Sequence, residues 1–317
     1  MVKKVSIVIP AYNEEGNIKA FLERIQNTMI DSYEYEVIFV NDGSSDNTYQ
    51  ELKNASLTYS WVGFISLSRN FGHQYALKAG LDSCTGDCLV TLDADLQHPP
   101  ELISKLVEYW ESGIDIVYTI RQEDKNLGFI KRKTSKLFYK ILNLLGGIEL
   151  EEGSADFRLI DKKVVTLFKQ NIKEYHLFMR GMVSWVGYSQ VAVSYKPEKR
   201  FAGSSKYSMK KMIRFAVEGL TSFSTLPLKF AVYLGAIVSC LSFLYCLYVL
   251  YGYLFTSKNV EGWTSMMMSI LVLSGFQLLS IGLLGVYIGK IFFEVKGRPS
   301  YIIDEFHKPN YDKNTEL

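Results

Sequence analysis

The chain has 317 residues, with 35 lysine and arginine residues against 33 aspartate and glutamate residues, which gives a net charge of +2. This balance excludes a polybasic nucleic-acid binder, so we predict no nucleic-acid partner, and an apolar content of 48% excludes an acidic disordered chain. The mean hydropathy of +0.05 is high for a soluble protein, and the longest apolar runs lie towards the C-terminal end.

The first third of the chain alternates short apolar runs with segments that have helical apolar spacing. We predict strands at residues 5–9, 36–40, 63–66, 88–92 and 115–119, and helices at residues 14–29, 46–55, 74–81 and 100–110. Asn13 is predicted to cap the first helix. Strands that alternate with helices indicate βαβ units and a parallel sheet, so the fold class is α/β.

Polar residues follow three of the predicted strands, in Pro10-Ala11-Tyr12-Asn13, Asn41-Asp42-Gly43-Ser44 and Asp93-Ala94-Asp95. In such sheets, ligands bind beyond the carboxyl ends of the strands. No Gly-x-Gly-x-x-Gly follows the first strand, and the sequence contains neither a Walker A motif nor a Gly-x-Ser-x-Gly elbow. These absences disfavour a dinucleotide dehydrogenase, a P-loop NTPase and an ordinary α/β-hydrolase.

The segment Asp93-Ala94-Asp95-Leu96-Gln97 is a candidate metal site. Two carboxylates and an amide oxygen suit Mg²⁺ or Mn²⁺, which also take phosphate oxygens from a nucleotide. A polar turn is the alternative, and the position after a strand favours the metal. Asp42 can accept a hydrogen bond from a base or a ribose hydroxyl, and Gly43 permits a sharp turn.

Two later segments, residues 131–145 and 208–223, combine an apolar stripe with basic residues at helical spacing. Basic amphipathic helices of this kind lie at the headgroup level of a membrane or pack on a sheet, and amphipathicity alone does not separate these two interpretations.

Residues 230–255 and 263–289 contain no charged residue and no histidine. Each run is long enough to cross a bilayer, and the short link 256–262 predicts an antiparallel hairpin. Basic residues flank its outer ends, so the positive-inside rule places both chain ends in the cytoplasm. The predicted organisation is a cytoplasmic α/β domain (1–207), an amphipathic interfacial helix (208–229), two membrane helices (230–289) and a cytoplasmic tail (290–317).

Taken together, Val8-Ile9-Pro10-Ala11-Tyr12-Asn13-Glu14-Glu15, Val40-Asn41-Asp42-Gly43-Ser44-Ser45-Asp46 and Asp93-Ala94-Asp95-Leu96-Gln97 resemble family 2 glycosyltransferases. That resemblance implies the GT-A fold, with a Rossmann-like mixed sheet. Gly153-Ser154-Ala155-Asp156-Phe157-Arg158-Leu159 and Arg200-Phe201-Ala202-Gly203-Ser204-Ser205-Lys206-Tyr207 resemble the polyprenyl-phosphate branch, which includes dolichol-phosphate mannose synthases and bactoprenol glucosyltransferases. The two-helix tail ending in Gly297-Arg298-Pro299-Ser300-Tyr301 is similar to the bactoprenol type.

The resemblance implies a role for individual residues. Asp93, Asp95 and Gln97 are implied metal ligands, and the catalytic set is implied to comprise Asp93, Asp95 and Asp156. The role of Asp156 is left open: it is either a base or a group that orients the acceptor or a basic partner. The role of Arg158 is also left open, between an ion pair and a direct function. The implied nucleotide contacts are Pro10, Tyr12, Glu14, Asp42, Asp93, Arg200 and Lys206. The implied acceptor-phosphate contacts are Arg121, Arg132 and Ser135, with Lys131 as an alternative to Arg132.

The implied reaction is an inverting transfer of one sugar from a nucleotide sugar to a polyprenyl phosphate at the cytoplasmic membrane face. UDP-glucose is favoured as the donor, ahead of UDP-N-acetylglucosamine and GDP-mannose. A processive polysaccharide synthase is the alternative, although the sequence lacks the Gln-x-x-Arg-Trp motif and the further membrane helices of that class; a non-catalytic scaffold is disfavoured by the intact Asp-x-Asp-x-Gln set. Membrane lipid, a flippase and a downstream glycosyltransferase are the further expected partners, and Gly285-x-x-x-Gly289 leaves a homo-oligomer open.

Overall fold

The computed structural model describes residues 2–122, 151, 153–175, 178–198, 221, 224–255 and 262–310. In chain order the strands are β1 (Lys3–Ala11), β2 (Tyr33–Asn41), β3 (Val62–Leu67), β4 (Cys88–Thr91), β5 (Ile116–Arg121), β6 (Ser154–Asp161), β7 (Gln190–Tyr195) and β8 (Ile303–His307). The helices are α1 (Ile18–Thr28), α2 (Thr48–Thr58), α3 (His73–Ser83), α4 (Ile103–Glu111), α5 (Lys162–Gln170), α6 (Met179–Trp185), α7 (Leu226–Phe255) and α8 (Trp263–Lys296). The five strands and four helices predicted for the first third of the chain are confirmed, with shifted ends.

The strands of the described residues form one mixed sheet in the order β7-β5-β6-β4-β1-β2-β3-β8. The central strands β4, β1, β2 and β3 are parallel to one another. In contrast, β6 runs antiparallel to β4 and β5, and β8 runs antiparallel to β3. The predicted βαβ units therefore account for the centre of the sheet, and the mixed sheet implied by the GT-A resemblance is confirmed.

Helices cover both faces of the central strands, which explains their nearly continuous apolar sequences. Ile7 and Ile9 of β1 belong to a buried cluster that includes Phe21 of α1, whereas Val8 belongs to a second cluster that includes Phe168 of α5. Packing on both faces buries the strands and positions their carboxyl ends.

The first helix begins later than predicted. Its N-cap position is Asn17 and α1 starts at Ile18. Asn13 has a left-handed backbone with a φ of 54°, and its side-chain oxygen accepts a hydrogen bond from the Ser45 N–H. The prediction that Asn13 caps the first helix is therefore wrong, because its side chain joins two loops instead.

The two long apolar helices expose most of their apolar side chains. The helix α7 begins at Leu226, before the predicted start at residue 230, and α8 continues to Lys296, beyond the predicted end at residue 289. Leu226–Tyr245 and Val272–Lys296 are candidate membrane spans by length and composition, and neither is buried within the protein. The amphipathic segment 131–145, most of segment 208–223 and the link 256–261 lie outside the described residues.

The chain returns to the sheet after α8. Strand β8 pairs with β3, and the Ser68 N–H donates to the carbonyl oxygen of Ile302 at 3.0 Å. The Tyr301 hydroxyl donates to Asp82 at 2.8 Å, and the Tyr49 hydroxyl donates to Glu305 at 2.6 Å. The segment 290–317 is predicted as a C-terminal tail, and in the structure Ile303–His307 within it forms an edge strand of the sheet.

Gly63 of β3 makes room for this edge strand. A Cβ atom at position 63 would lie 2.5 Å from the carbonyl oxygen of His307 and 2.5 Å from Cδ of Pro309. Overpacking of this kind costs about 1–3 kcal/mol. The Gly63→Ala variant is therefore expected to melt roughly 2–12 °C below the wild type in a thermal unfolding measurement in detergent.

The matched control is Gly275→Ala in α8, where nothing lies within 4 Å of the added Cβ. It is expected to melt no lower than the wild type. Equal melting temperatures for Gly63→Ala and the wild type would contradict the close fit of β8 against β3.

Candidate active site

The loops that follow β1 and β2 are joined by hydrogen bonds. The Asp42 N–H donates to the Ala11 carbonyl at 2.9 Å, and the Asn13 N–H donates to Oγ of Ser44 at 3.0 Å. The Ser45 N–H donates to Oδ1 of Asn13 at 2.9 Å. Two of the three predicted polar strand ends therefore form one connected platform at the carboxyl edge of the sheet.

Three implied nucleotide contacts lie at the end of β1 and just after it. Pro10 is buried within the strand, whereas Tyr12 is 38% exposed. The Glu14 carboxylate accepts a hydrogen bond from the Asn17 side-chain amide. Of these three side chains, the Tyr12 ring is the most accessible surface for a ligand at this edge.

Asp42 holds the loop that follows β3. Its two carboxylate oxygens accept hydrogen bonds from the Phe71 N–H at 2.7 Å and the Gly72 N–H at 2.9 Å. Burial raises the pKa of Asp42, and these backbone hydrogen bonds act in the opposite direction. Gly43 has a φ of 64°, and a Cβ there would lie 2.4 Å from the backbone carbon of Arg69. Asp42 thus positions a loop, and its direct contact with a nucleotide stays a prediction.

Asp93 lies between two histidines. The Nδ1 atom of His98 accepts the Asp93 N–H at 3.2 Å, and the buried His98 ring stacks on Phe157 with centroids 5.5 Å apart. The Nε2 atom of His73 lies 3.5 Å from Oδ1 of Asp93. That Oδ1 atom is buried and has no hydrogen-bond partner among the described residues.

Asp95, Gln97 and Arg121 form a second group beside Asp93. Oδ1 of Asp95 accepts the Gln97 N–H at 3.1 Å, and Oε1 of Gln97 accepts from Nη1 of Arg121 at 3.3 Å. Leu96 between them has a left-handed φ of 61°, which makes the tight turn. Arg121, an implied acceptor-phosphate contact, is therefore adjacent to an implied metal ligand.

Asp156 at the start of β6 is surrounded by cationic groups. Arg180 of α6 donates from Nε to Oδ1 and from Nη2 to Oδ2, both at 2.8 Å. Nη2 of Arg158 lies 3.3 Å from Oδ1, and Nε2 of His73 lies 3.5 Å from Oδ2. His73 thus bridges the carboxylates of Asp93 and Asp156, which joins the ends of β4 and β6 in one site.

These contacts determine the charge states of the cluster. Burial favours the neutral acid, but Arg180, His73 and Arg158 outweigh it and hold the pKa of Asp156 well below its usual range. The pKa of His73 is raised above its usual value. Burial alone would lower this pKa, but the hydrogen bond to Asp156 and the charge of Asp93 outweigh that effect. Burial lowers the pKa of Arg158 to about 10, so this group stays protonated at neutral pH.

The Tyr195 hydroxyl at the end of β7 is influenced by the charges of this region. It is buried and has no hydrogen-bond partner among the described residues. Burial, together with the charges of Asp93 and Asp95, raises the pKa of Tyr195 to about 12, whereas the charges of Arg121 and Arg180 act in the opposite direction. The Tyr195 hydroxyl therefore lies within the electrostatic influence of carboxylates that follow β4 and of guanidinium groups on β5 and α6.

The structure brings together Asp93, Asp95, Gln97, Arg121 and Asp156, all five of which were candidate site residues. Lys131, Arg132, Ser135, Arg200 and Lys206 lie outside the described residues, and their roles stay predictions.

The sequence analysis missed His73, His98 and Arg180. His73 follows the carboxyl end of β3, and the rule that selected the other polar strand ends applies to it as well. Arg180 lies on a short helix, outside any motif, and reaches Asp156 only through the fold.

The residues at the end of β4 fit a divalent cation. In the part of the chain that the structure describes, no group of three or more His, Cys, Asp or Glu side chains is arranged to hold a metal ion by itself. Asp93 and Asp95 still provide two carboxylates, Gln97 provides an amide oxygen, and none of the described residues hydrogen-bonds Oδ1 of Asp93. Mg²⁺ is commonly held by one or two carboxylates together with substrate phosphates and water. This partial set of ligands therefore suits a metal that arrives with a nucleotide.

The sequence profile of Glycosyl transferase family 2 matches residues 6–168, a range that runs from β1 into α5. The chain belongs to this family. It is a glycosyltransferase with a GT-A fold, which confirms the resemblance inferred from the motifs.

Relatives match nearly the whole chain. An uncharacterised glycosyltransferase from Bacillus subtilis, YkcC, is 44% identical over 95% of this chain and 93% of its own length. The SfII prophage-derived bactoprenol glucosyl transferase of Shigella flexneri is 42% identical over 97% of this chain and 99% of its own length. Among solved structures, a glucosyl-3-phosphoglycerate synthase from Mycobacterium tuberculosis, in complex with Mn²⁺ and UDP-glucose, is 17% identical with a TM-score of 0.46, covering 69% of this chain and 78% of that one. Similarity at that level carries no conclusion about the ligands of this chain.

Proposed function

We propose that this glycosyltransferase transfers a single glucose from UDP-glucose to undecaprenyl phosphate, with inversion at the anomeric carbon, at the cytoplasmic face of the membrane. The observation that carries the proposal is the 42% identity to a protein named bactoprenol glucosyl transferase over 97% of this chain, a match that includes α7 and α8. The product would be a polyprenyl-monophosphate sugar.

The geometry of the strand ends supports the donor half of the proposal. The connected loops after β1 and β2, with the accessible Tyr12 ring, offer a place for the nucleoside. Asp93, Asp95 and Gln97 would hold Mg²⁺ or Mn²⁺, which supplies neutralisation of the pyrophosphate charge when bound. The pyrophosphate would then lie beside the end of β4.

The chemistry of the acceptor matches a site rich in cations. A phosphate monoester has a second pKa of about 6 and is largely a dianion at neutral pH. One of its oxygens forms a bond to the anomeric carbon while the bond from that carbon to the UDP oxygen breaks, and UDP leaves with the electron pair. No proton has to be removed from the dianion. Arg121 and the cations around Asp156 would reduce the repulsion between the two anionic substrates.

The apolar helices would keep the active site close to the lipid. Since strand β7 precedes α7 in the chain and strand β8 follows α8, both ends of the helical pair lead to the sheet domain. The basic residues that flank the pair favour a cytoplasmic location for the sheet domain and both chain ends. A lipid-linked sugar made on this face requires a flippase and a downstream glycosyltransferase before it modifies a glycan outside the cell.

The experiment is a transfer assay with purified full-length protein, undecaprenyl phosphate and a panel of radiolabelled sugar nucleotides. Label from UDP-glucose is expected in an organic-extractable product that carries one sugar. Label from UDP-N-acetylglucosamine or GDP-mannose instead would change the donor assignment. A polymeric product would identify a processive synthase, and no lipid-linked product with any donor would overturn the proposal.

The proposed orientation has its own test. A single cysteine introduced by Asn259→Cys, between the two apolar helices, is expected to react with a membrane-impermeant thiol reagent added outside intact cells. A cysteine introduced by Asn310→Cys, just after β8, is expected to react only after the membrane is opened. The reverse pattern would invert the assignment.

A further inference from the structure

The carboxylate of Asp156 is poorly placed to remove a proton from a substrate. Each of its oxygens accepts a hydrogen bond from Arg180 at 2.8 Å, and Arg158 and His73 lie at 3.3 Å and 3.5 Å. A general base must reach the proton that it abstracts and must bind that proton readily near the working pH. Because Asp156 is only 6% exposed, a substrate proton cannot easily reach it. Its three cationic neighbours also make its carboxylate a poor proton acceptor.

The groups around Asp156 differ in their access to the site. Arg158 is buried between β6 and the neighbouring strands, and it also donates to the Ala155 carbonyl at 2.8 Å. The Arg180 side chain is 23% exposed and the His73 side chain is 42% exposed. Arg180 and His73 are therefore the members of this cluster that a ligand can touch.

Arg180 belongs to the same site as the proposed metal ligands. Its charge acts on the Tyr195 hydroxyl together with the charges of Asp93 and Asp95. His73 lies 3.5 Å from both Asp93 and Asp156, which connects the end of β4 to the Arg180 side chain. The two parallel hydrogen bonds from Arg180 to Asp156 fix the plane of the guanidinium group.

We propose that Arg180 contacts a phosphate group of a substrate and that Asp156 is the positioning residue that orients it. A guanidinium group matches a phosphate in both charge and geometry, and it remains charged in a partly buried site. The phosphate is either the pyrophosphate of the donor or the monophosphate of the acceptor. The acceptor alternative rests on the proposed function, whereas the donor alternative needs only a nucleotide-sugar substrate.

The donor part of the test compares the binding of UDP with that of uridine to the full-length protein by calorimetry in the presence of Mn²⁺. If Arg180 contacts the donor phosphates, Arg180→Ala is expected to weaken UDP binding about ten- to a hundredfold and to leave uridine binding unchanged. Arg180→Lys, which keeps the charge but not the paired donors, is expected to fall between the wild type and Arg180→Ala.

The acceptor part measures transfer from UDP-glucose while undecaprenyl phosphate is titrated. If Arg180 contacts the acceptor, Arg180→Ala is expected to raise KM for undecaprenyl phosphate about ten- to a hundredfold. UDP binding would then stay at the wild-type value, and Arg180→Lys would restore part of the lost acceptor efficiency.

A double-substitution cycle separates positioning by Asp156 from proton abstraction. If Asp156 acts through Arg180, adding Asp156→Asn to Arg180→Ala is expected to change kcat/KM by no more than about twofold. If Asp156 is an independent base, the two losses multiply and Asp156→Asn lowers kcat at saturating acceptor, which would overturn its assignment as a positioning residue. If thermal melting shows that Asp156→Asn does not fold, the two Arg180 variants alone still test whether Arg180 contacts a phosphate group.

The matched control is Lys163→Ala, which breaks an ion pair with Asp115 at the amino end of β5, away from the site. It is expected to leave both parts of the test unchanged. Unchanged UDP binding and unchanged acceptor KM in Arg180→Ala would overturn the phosphate contact. If the wild type transfers no sugar to undecaprenyl phosphate, the proposed acceptor is wrong, and UDP binding alone then decides the role of Arg180.

Discussion

Replacement of Asp95 by alanine is expected to reduce sugar transfer by about a thousandfold or more. The metal that Asp95 is proposed to hold would supply several kcal/mol of charge stabilisation to the departing UDP, and 1.36 kcal/mol corresponds to tenfold in rate. Asp95 also accepts the Gln97 N–H at 3.1 Å, so alanine removes a turn contact as well as a ligand. Asp95→Asn keeps an oxygen for that N–H and removes only the charge, and its loss of activity is expected to be nearly as large.

The measurements are the transfer rate and the dependence of UDP affinity on added Mn²⁺. The wild type is expected to bind UDP more tightly with Mn²⁺ than without it, and both Asp95 variants are expected to lose this difference. Asp87→Ala is the control, because Asp87 immediately precedes β4 and so lies at the amino ends of the parallel strands, away from the site. Its carboxylate accepts hydrogen bonds from the Lys4 backbone N–H and the Lys162 ammonium group. Full activity of the wild type in excess EDTA would refute the metal site.

Removal of the Asp156 carboxylate is expected to destabilise the protein by about 3–5 kcal/mol, because Arg158 would remain buried without its partner. For a domain of this size, the expected fall in melting temperature of Asp156→Ala is roughly 6–20 °C. The double variant Asp156→Ala/Arg158→Met, which removes both buried charges, is expected to recover most of this loss. A double variant no more stable than Asp156→Ala would show that the unpaired guanidinium is not the cause.

The same interaction predicts a dependence of stability on pH. The cations around Asp156 lower its pKa in the folded protein below the usual value near 3.9. A depressed pKa in the folded state stabilises the protein above the pKa of the unfolded state, and that contribution is lost as the pH falls through acidic values. The melting temperatures of the wild type and Asp156→Asn are thus expected to differ most at neutral pH, and the difference is expected to become smaller as the pH falls below about 4. A difference that stays constant over this range would contradict the ionised state of Asp156.

The centre of the sheet could be predicted because its strands are buried on both faces. Nearly continuous apolar runs, such as those within residues 36–40 and 88–92, are recognisable without any knowledge of their neighbours. Strand β8 could not be recognised in this way. Its sequence, Ile-Asp-Glu-Phe-His, has no apolar run, and it forms a strand because β3 offers an open edge with Gly63 beside it.

Some residues of the candidate site could likewise be predicted from the sequence, and others could not. Asp93, Asp95 and Gln97 lie within one turn, so their proximity is determined locally and the spacing alone indicates it. His73, Asp156 and Arg180 come from α3, β6 and α6, and only the folded chain brings them together. A carboxylate between two arginines has no sequence pattern, because each contact depends on where separate elements pack.

The return of the chain to β3 after the second apolar helix affects the order in which the protein is completed. The edge strand β8 is synthesised after both apolar helices. The open edge of β3 therefore stays available for other pairings until translation has passed residue 307. The two helices are in effect an insertion within the catalytic domain. A soluble fragment made by ending the chain before α7 would lack its last strand and expose an aggregation-prone edge. A fragment that replaces residues 226–296 with a short linker, and keeps residues 297–310, would retain the complete sheet.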